Sequence, residues 1–131
     1  MDLLLDTHVF LWYLFDDQKL ETTASQLISD RTNRVYVSPV AFWEIAIKVS
    51  IQKLKLNTDY ESFIEFGMNK NQFIYLPISL KHTSRLLSLP QLKDHRDPFD
   101  RLLVAQALVE GFMLISADAR LDSYSVPRVF A

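Results

Sequence analysis

"HRDPFDRLLVAQALVEGFMLISADARL", residues 95–121, decides how the rest of the chain is read. Asp97 has the residue type of an N-cap, Pro98 suits the first helical position, and Asp100 the third, from which a capping box would reach back. The apolar run behind them predicts a helix over 98–110, stopped by Gly111. Residues 113–115 then read as a short buried strand and 119–122 as one helical turn. A helix that runs through a short link into an apolar strand is one arm of a parallel α/β architecture.

The same alternation extends in both directions. Residues 3–5 are a strand candidate, followed by an apolar helix over 9–15 and an amphipathic one over 22–31 through Ala24, Leu27 and Ile28. Residues 35–37 make the next strand, after which Ser38 and Pro39 start a helix over 40–51. That helix is apolar nearly all round, which predicts that it is largely buried. A helix over 60–68, a strand over 73–76 closed by Pro77, a short helix over 80–87 and a polar loop over 90–96 complete the approach to the quoted stretch. Residues 126–130 are an edge-strand candidate. The fold expected is a three-layer α/β/α sandwich with a mostly parallel central sheet.

The 131 residues suit one domain, 1–131. Hydrophobic residues make up 49%, which predicts a packed interior rather than disorder. Cysteine is absent, which excludes disulfides and thiolate-held metals and makes a reducing cytoplasm the natural setting. The opening MDLLLDTHVFLWYLF lacks a basic start, and Asp6 and His8 interrupt it, so it does not read as a signal peptide. No apolar run reaches the ~18 residues of a membrane span, so a soluble protein with no membrane partner is expected. Net charge is −2 but unevenly spread: residues 1–30 carry six acids and one base, residues 31–58 five bases and one acid. That argues against nucleic-acid binding by bulk charge, though not against a basic rim around an acidic centre.

In parallel α/β folds the binding crevice lies beyond the carboxyl ends of the strands. Asp6 directly follows the first strand, Asp118 follows the fourth, and Glu44 sits in the second turn of the helix leaving the second strand. Asp100 joins them if its helix N-terminus points to the same edge. Each acid also has a plain structural role available. Asp6, Asp97 and Asp118 can cap, Asp100 can complete a capping box, and Glu44 can pair with Lys48 at i,i+4 for only ~0.3–0.5 kcal/mol. Glu44 has mostly apolar neighbours, and a carboxylate there is costly unless something compensates it. Four carboxylates on one rim repel, and a bound divalent cation removes that penalty. Oxygen-only ligands point to a hard ion, Mg²⁺ or Mn²⁺, which suits phosphodiester hydrolysis.

The stretches LLLDTH (3–8), SPVAFWEIAIK (38–48), HRDPFDRLLVAQA (95–107) and LISADARL (114–121) together resemble the PIN-domain nucleases, and within them the VapC-like toxins of bacterial toxin–antitoxin pairs. The resemblance covers essentially the whole chain. It implies metal-site acids at Asp6, Glu44, Asp100 and Asp118, with Ser116 a small hydroxyl near them, and the HxDPFDR form brings Asp97 near the site as well. It further implies a homodimer, Mg²⁺- or Mn²⁺-dependent cleavage of RNA, and a cognate antitoxin that blocks the active-site groove.

Other residues have two readings. Arg101 either offsets the charge of Asp100 or touches a phosphate. His95 either orients the Asp97 loop or is solvated, and His8 reads as a local hydrogen-bonding group. Trp12 and Trp43 read as core or interface anchors rather than base-stacking platforms. Lys48, Lys53, Lys55, Arg96 and Arg120 are candidate rim bases. Two non-nuclease functions compete: a Mg²⁺-binding receiver-like signalling domain, and an interaction module whose acids are only caps. The first wants adjacent acids after the first strand and an Asp ending the third, where this chain has Asp6 alone and Leu76-Pro77.

Overall fold

Three consecutive leucines, Leu3, Leu4 and Leu5, are fully buried in a strand whose side chains alternate between its faces. Leu3 and Leu5 enter one hydrophobic cluster, with Val9, Phe10, Ala24, Ile28, Ala41, Ile45 and Phe63. Leu4 enters another, with Leu103, Val104, Leu114, Leu121 and Tyr124. A strand buried on both sides needs helices on both sides, and burial of each such leucine contributes about 1.5–3 kcal/mol.

A computed structural model describes residues 1–131 and supplies those layers. In chain order the elements are β1 (Asp2–Leu5), α1 (Thr7–Leu14), α2 (Thr22–Ser29), β2 (Arg34–Val37), α3 (Pro39–Ser50), α4 (Tyr60–Lys70), β3 (Ile74–Tyr75), α5 (Leu80–Arg85), α6 (Pro98–Glu110), β4 (Met113–Ser116) and β5 (Arg128–Phe130). Short 3₁₀ turns follow α5 at Leu86–Ser88 and β4 at Ala119–Tyr124. The five strands form one sheet in the order β3-β2-β1-β4-β5, and all four pairings are parallel. Residues packed from α1 to α4 line one face, and residues of α6 and the loops around it line the other. The three-layer α/β expectation holds.

The strand order changes direction at β1. The chain winds outward through β2 and β3, then returns to place β4 on the other flank of β1. The carboxyl ends of β1 and β4 therefore border the switch point, where parallel sheets open a crevice. Gly111 ends α6 at φ 73°, a left-handed conformation that favours glycine, and Phe112 leads directly into β4.

Three expectations need correction. The helix expected over 40–51 is not largely buried: only Val40, Ala41 and Ile45 of α3 are, because one face of it meets the sheet and Trp43 stands 59% exposed. Trp43 is thus no core anchor. Trp12 is only half-buried. The strand expected over 73–76 shortens to the exposed edge pair Ile74–Tyr75. The short helix near residue 80 is α-helical only to Arg85 before tightening into the 3₁₀ turn.

Candidate functional site

The carboxyl edge of the sheet carries an open cleft of about 330 Å³. Asp6, Glu44, Asp97, Asp100 and Asp118 all line it, together with His8, Trp12, Lys48 and Ala117. They arrive from four parts of the chain: the exit of β1, α3, the start of α6 and the exit of β4. The four acids expected to meet all line this one cleft.

Asp6 and Asp118 combine capping with placement in the cleft. Asp6 precedes α1, and its Oδ1 accepts the Thr7 N–H at 2.7 Å. Its Oδ2 accepts the Ser116 hydroxyl at 2.7 Å, and that hydroxyl in turn accepts the Asp118 N–H at 3.0 Å. Ser116, fully buried at the end of β4, thus ties the two strand exits together. Asp118 caps the turn after β4 and receives two hydrogen bonds from the Arg120 guanidinium, both 2.9 Å. That guanidinium holds the Asp118 carboxyl below the usual carboxylate range.

The start of α6 divides its labour. Asp97 is the N-cap, its Oδ1 accepting the N–H groups of Phe99 at 2.9 Å and Asp100 at 3.1 Å. Asp100 makes no return bond to the cap. Its Oδ2 instead accepts from His95 Nε2 at 3.0 Å. Burial first, and the Asp6 charge second, push the Asp100 carboxyl up to about 6. Arg101 points elsewhere, donating to the Pro90 carbonyl at 2.8 Å and the Tyr124 hydroxyl at 3.2 Å. Arg101 makes no ion pair with Asp100.

Glu44 decides what the cleft lacks. One carboxylate oxygen lies 3.7 Å from Lys48 Nζ, while the other, Oε1, is buried with no hydrogen-bond partner. A buried carboxylate oxygen without a partner carries a heavy desolvation cost. The residues fit a hard divalent cation on this observation: every carboxylate supplies oxygen, thiolates are absent from the chain, and the residue with the unmet oxygen lines the same cleft as four other acids. His95, Asp100 and Asp118 also bring one ligand-type atom each to within 4.8 Å of one another.

Comparison with known proteins identifies the family and the fold. The model of the PIN domain family matches residues 3–127. The chain belongs to the PIN domain family. Among its relatives, Ribonuclease VapC22 of Mycobacterium tuberculosis is 29% identical over 125 residues, covering 95% of this chain and 93% of that protein. The structure of VapBC2 from Rickettsia felis bound to a DNA fragment from its promoter superimposes with a TM-score of 0.75 at 15% identity, over 99% of this chain and 98% of that one. VapBC-5 of Mycobacterium tuberculosis, a member of the VapBC family of toxin–antitoxin systems, gives a TM-score of 0.63 at 21% identity, again over 99% and 98%.

Some residues around this PIN cleft escape a reading of the sequence. His8 accepts the Ala117 N–H on Nε2 at 3.0 Å, which leaves its Nδ1–H toward Asp6 Oδ2 at 3.6 Å. The local hydrogen-bonding role expected for His8 is met, but its place in the cleft wall is new. Trp12 packs edge-on against that imidazole at 4.9 Å between centroids. His95 is 2% exposed, so it is not solvated, and its carboxylate partner is Asp100 rather than Asp97. The only signal for either histidine was closeness in sequence to an acid, two residues from Asp6 and from Asp97.

Proposed function

We propose that this PIN domain is a metal-dependent endoribonuclease, the toxin of a toxin–antitoxin pair, and that residues 1–131 act as one nuclease domain. The observation that carries the reading is the orphaned oxygen of Glu44 in a cleft shared with Asp6, Asp100 and Asp118. The relative named Ribonuclease VapC22 supports RNA as the substrate, and the VapBC likenesses support an antitoxin partner. The cation is Mg²⁺ or Mn²⁺, the working form a homodimer and the setting the cytoplasm. No helix is long and apolar enough to cross a membrane.

Asp6, Glu44 and Asp100 would hold the cation, with Asp118, already engaged by Arg120, completing the pocket. A bound divalent cation supplies Lewis acidity, which makes water a nucleophile at neutral pH and offsets phosphate charge. The protein's own groups set the geometry. Ser116 and the Thr7 amide fix the Asp6 carboxylate on both oxygens, and Asp97 fixes the first turn of α6 under Asp100. Lys48, on the rim beside Glu44, offers a positive charge to the RNA backbone.

The test is cleavage of cellular RNA by purified protein with Mn²⁺, with EDTA, and with Asp6→Asn. Cleavage that EDTA abolishes and that the folded variant lacks is expected. Induced in a bacterium, the wild type should arrest growth and Asp6→Asn should not. Equal behaviour of the two strains, or cleavage that survives EDTA, overturns the reading.

A further inference from the structure

Two histidines are fully buried, and their partners differ in kind. His82 closes on its own helix start: Nδ1 accepts the Ser79 N–H at 3.0 Å in a capping box, and Nε2 meets Glu110 at 2.8 Å at the far end of α6. His95 reaches across elements. Its Nδ1 lies 2.7 Å from the Tyr124 hydroxyl, in the turn after β4, and its Nε2 lies 3.0 Å from Asp100 Oδ2 in the cleft. His95 and Tyr124 are 2% and 4% exposed, so solvent does not compete for these bonds.

The partners set the direction of the protons. Arg101 can only donate, and its Nη1 gives a hydrogen bond to the Tyr124 oxygen at 3.2 Å while its guanidinium lies 5.6 Å from that ring. The Tyr124 proton has two acceptors, His95 Nδ1 at 2.7 Å and the His95 carbonyl at 3.3 Å, and the shorter contact takes it. With Nδ1 accepting, the neutral ring carries its proton on Nε2 and donates it to Asp100. Oδ2 of Asp100 is thereby held, and Oδ1 accepts no hydrogen bond.

We propose that Tyr124 and His95 are positioning residues, the inner links of a donor chain from Arg101 to Asp100 that fixes which Asp100 oxygen faces the cation. The inference rests on the metal-dependent reading above. It also gives Arg101 its place, two links behind the acid beside it in sequence. Partners behind a metal ligand typically change affinity by about 10–100-fold when removed.

Three readouts test the chain. In long-range ¹H–¹⁵N spectra of metal-free wild type at neutral pH, the His95 proton should sit on Nε2 with Nδ1 as acceptor. Tyr124→Phe should leave Nε2–H in place and move the Nδ1 resonance to that of an acceptor without a partner. A wild-type ring protonated on Nδ1 overturns the chain. By calorimetry, His95→Leu should weaken Mn²⁺ binding at least about tenfold, whereas His95→Gln, which keeps an N–H for Asp100, should stay within about threefold of wild type. Wild-type affinity in a folded His95→Leu protein overturns the proposal. So does nitrogen hyperfine coupling to bound Mn²⁺, which would put the imidazole on the ion itself. If wild type binds no Mn²⁺, the metal reading falls, and the imidazole spectra alone decide the chain. Tyr124→Phe removes a single oxygen, which keeps that arm usable if the histidine variants unfold.

Discussion

Asp122 and Asp100 are the same residue in opposite circumstances. Asp122 lies on the surface and takes two hydrogen bonds from Arg128, at 2.7 and 2.9 Å, which hold its carboxyl below the usual range. Asp2 is clasped the same way by Arg34, and Asp30 and Asp59 are held low by bonds from Thr32 and Ser62. Asp100 is half-buried in the cleft it shares with Asp6, with one neutral histidine as donor, and its carboxyl is pushed up to about 6. These four acids outside the cleft each have a donor of their own. Inside it, five acids gather around two cations, Lys48 beside Glu44 and Arg120 on Asp118, which leaves an excess of negative charge.

The sharpest break between the two sets is catalytic. Glu44→Gln and Asp100→Asn should each lower RNA cleavage at least about 100-fold, since each takes away a group proposed to hold the ion itself. Asp2→Asn, on the amino end of β1, should stay within about twofold of wild type. A cleft variant that retains activity, or an Asp2 variant that loses it, would dissolve the distinction.

The next effect is on stability with metal. An ion that binds only the folded state at 100 times its dissociation constant contributes about 2.7 kcal/mol. For a chain of this length that raises the melting temperature by roughly 10 °C. Mn²⁺ should produce the rise, EDTA should reverse it, and Glu44→Gln should largely remove it. A melting temperature indifferent to Mn²⁺ would mean that the cleft tolerates its own repulsion.

Without metal the same repulsion has a sign that can be measured. Between the ordinary carboxyl value of 3.8 and about 6, the folded protein holds a proton on Asp100 that the unfolded chain has lost. Stability from this group is therefore intact below that window and falls as pH rises through it. Asp100→Asn removes the charge and keeps an acceptor for His95. In EDTA at pH 7 the variant should be more stable than wild type, by at most about 3 kcal/mol, and the two should converge toward pH 4. Urea titrations at the two pH values decide it, and a variant less stable at pH 7 would refute the electrostatic account.

Much of this was legible in the residues. α6 runs from Pro98 to Glu110 as cap, proline and stop glycine demand, because those signals are local. The acids were legible through topology: a strand that ends in Asp6 or leads to Asp118 puts the side chain at the carboxyl edge wherever the sheet is parallel. What depended on three-dimensional packing was not. Trp43 looks like core from its neighbours, yet α3 turns it outward against Phe99, at 4.9 Å between ring centroids. His95 sits in a loop that reads as polar and solvated, and only the arrival of Tyr124 from 29 residues away buries it. Arg101 was adjacent to Asp100 in sequence, but helical geometry sends consecutive side chains about 100° apart, and its guanidinium found Tyr124 instead.

Asp118 stands between the two sets of acids, and it sharpens the comparison most finely. Like Asp122 it is clasped by an arginine, with 2.9 Å contacts to both oxygens. Like Asp100 it lines the cleft. Arg120 therefore competes with a cation for the same carboxylate and adds a positive charge nearby. Arg120→Gln should release Asp118 toward the ion and tighten Mn²⁺ binding a few-fold, the scale of one screened charge a few ångströms away. The backbone bond from the residue 120 N–H to Asp118 Oδ1, 3.0 Å long, needs no guanidinium and should keep the turn formed. Calorimetry with Mn²⁺ reads the change directly. Weaker binding in this variant would mean that Arg120 orients Asp118 for the cation rather than contesting it, and would move Asp118 from the paired acids to the waiting ones.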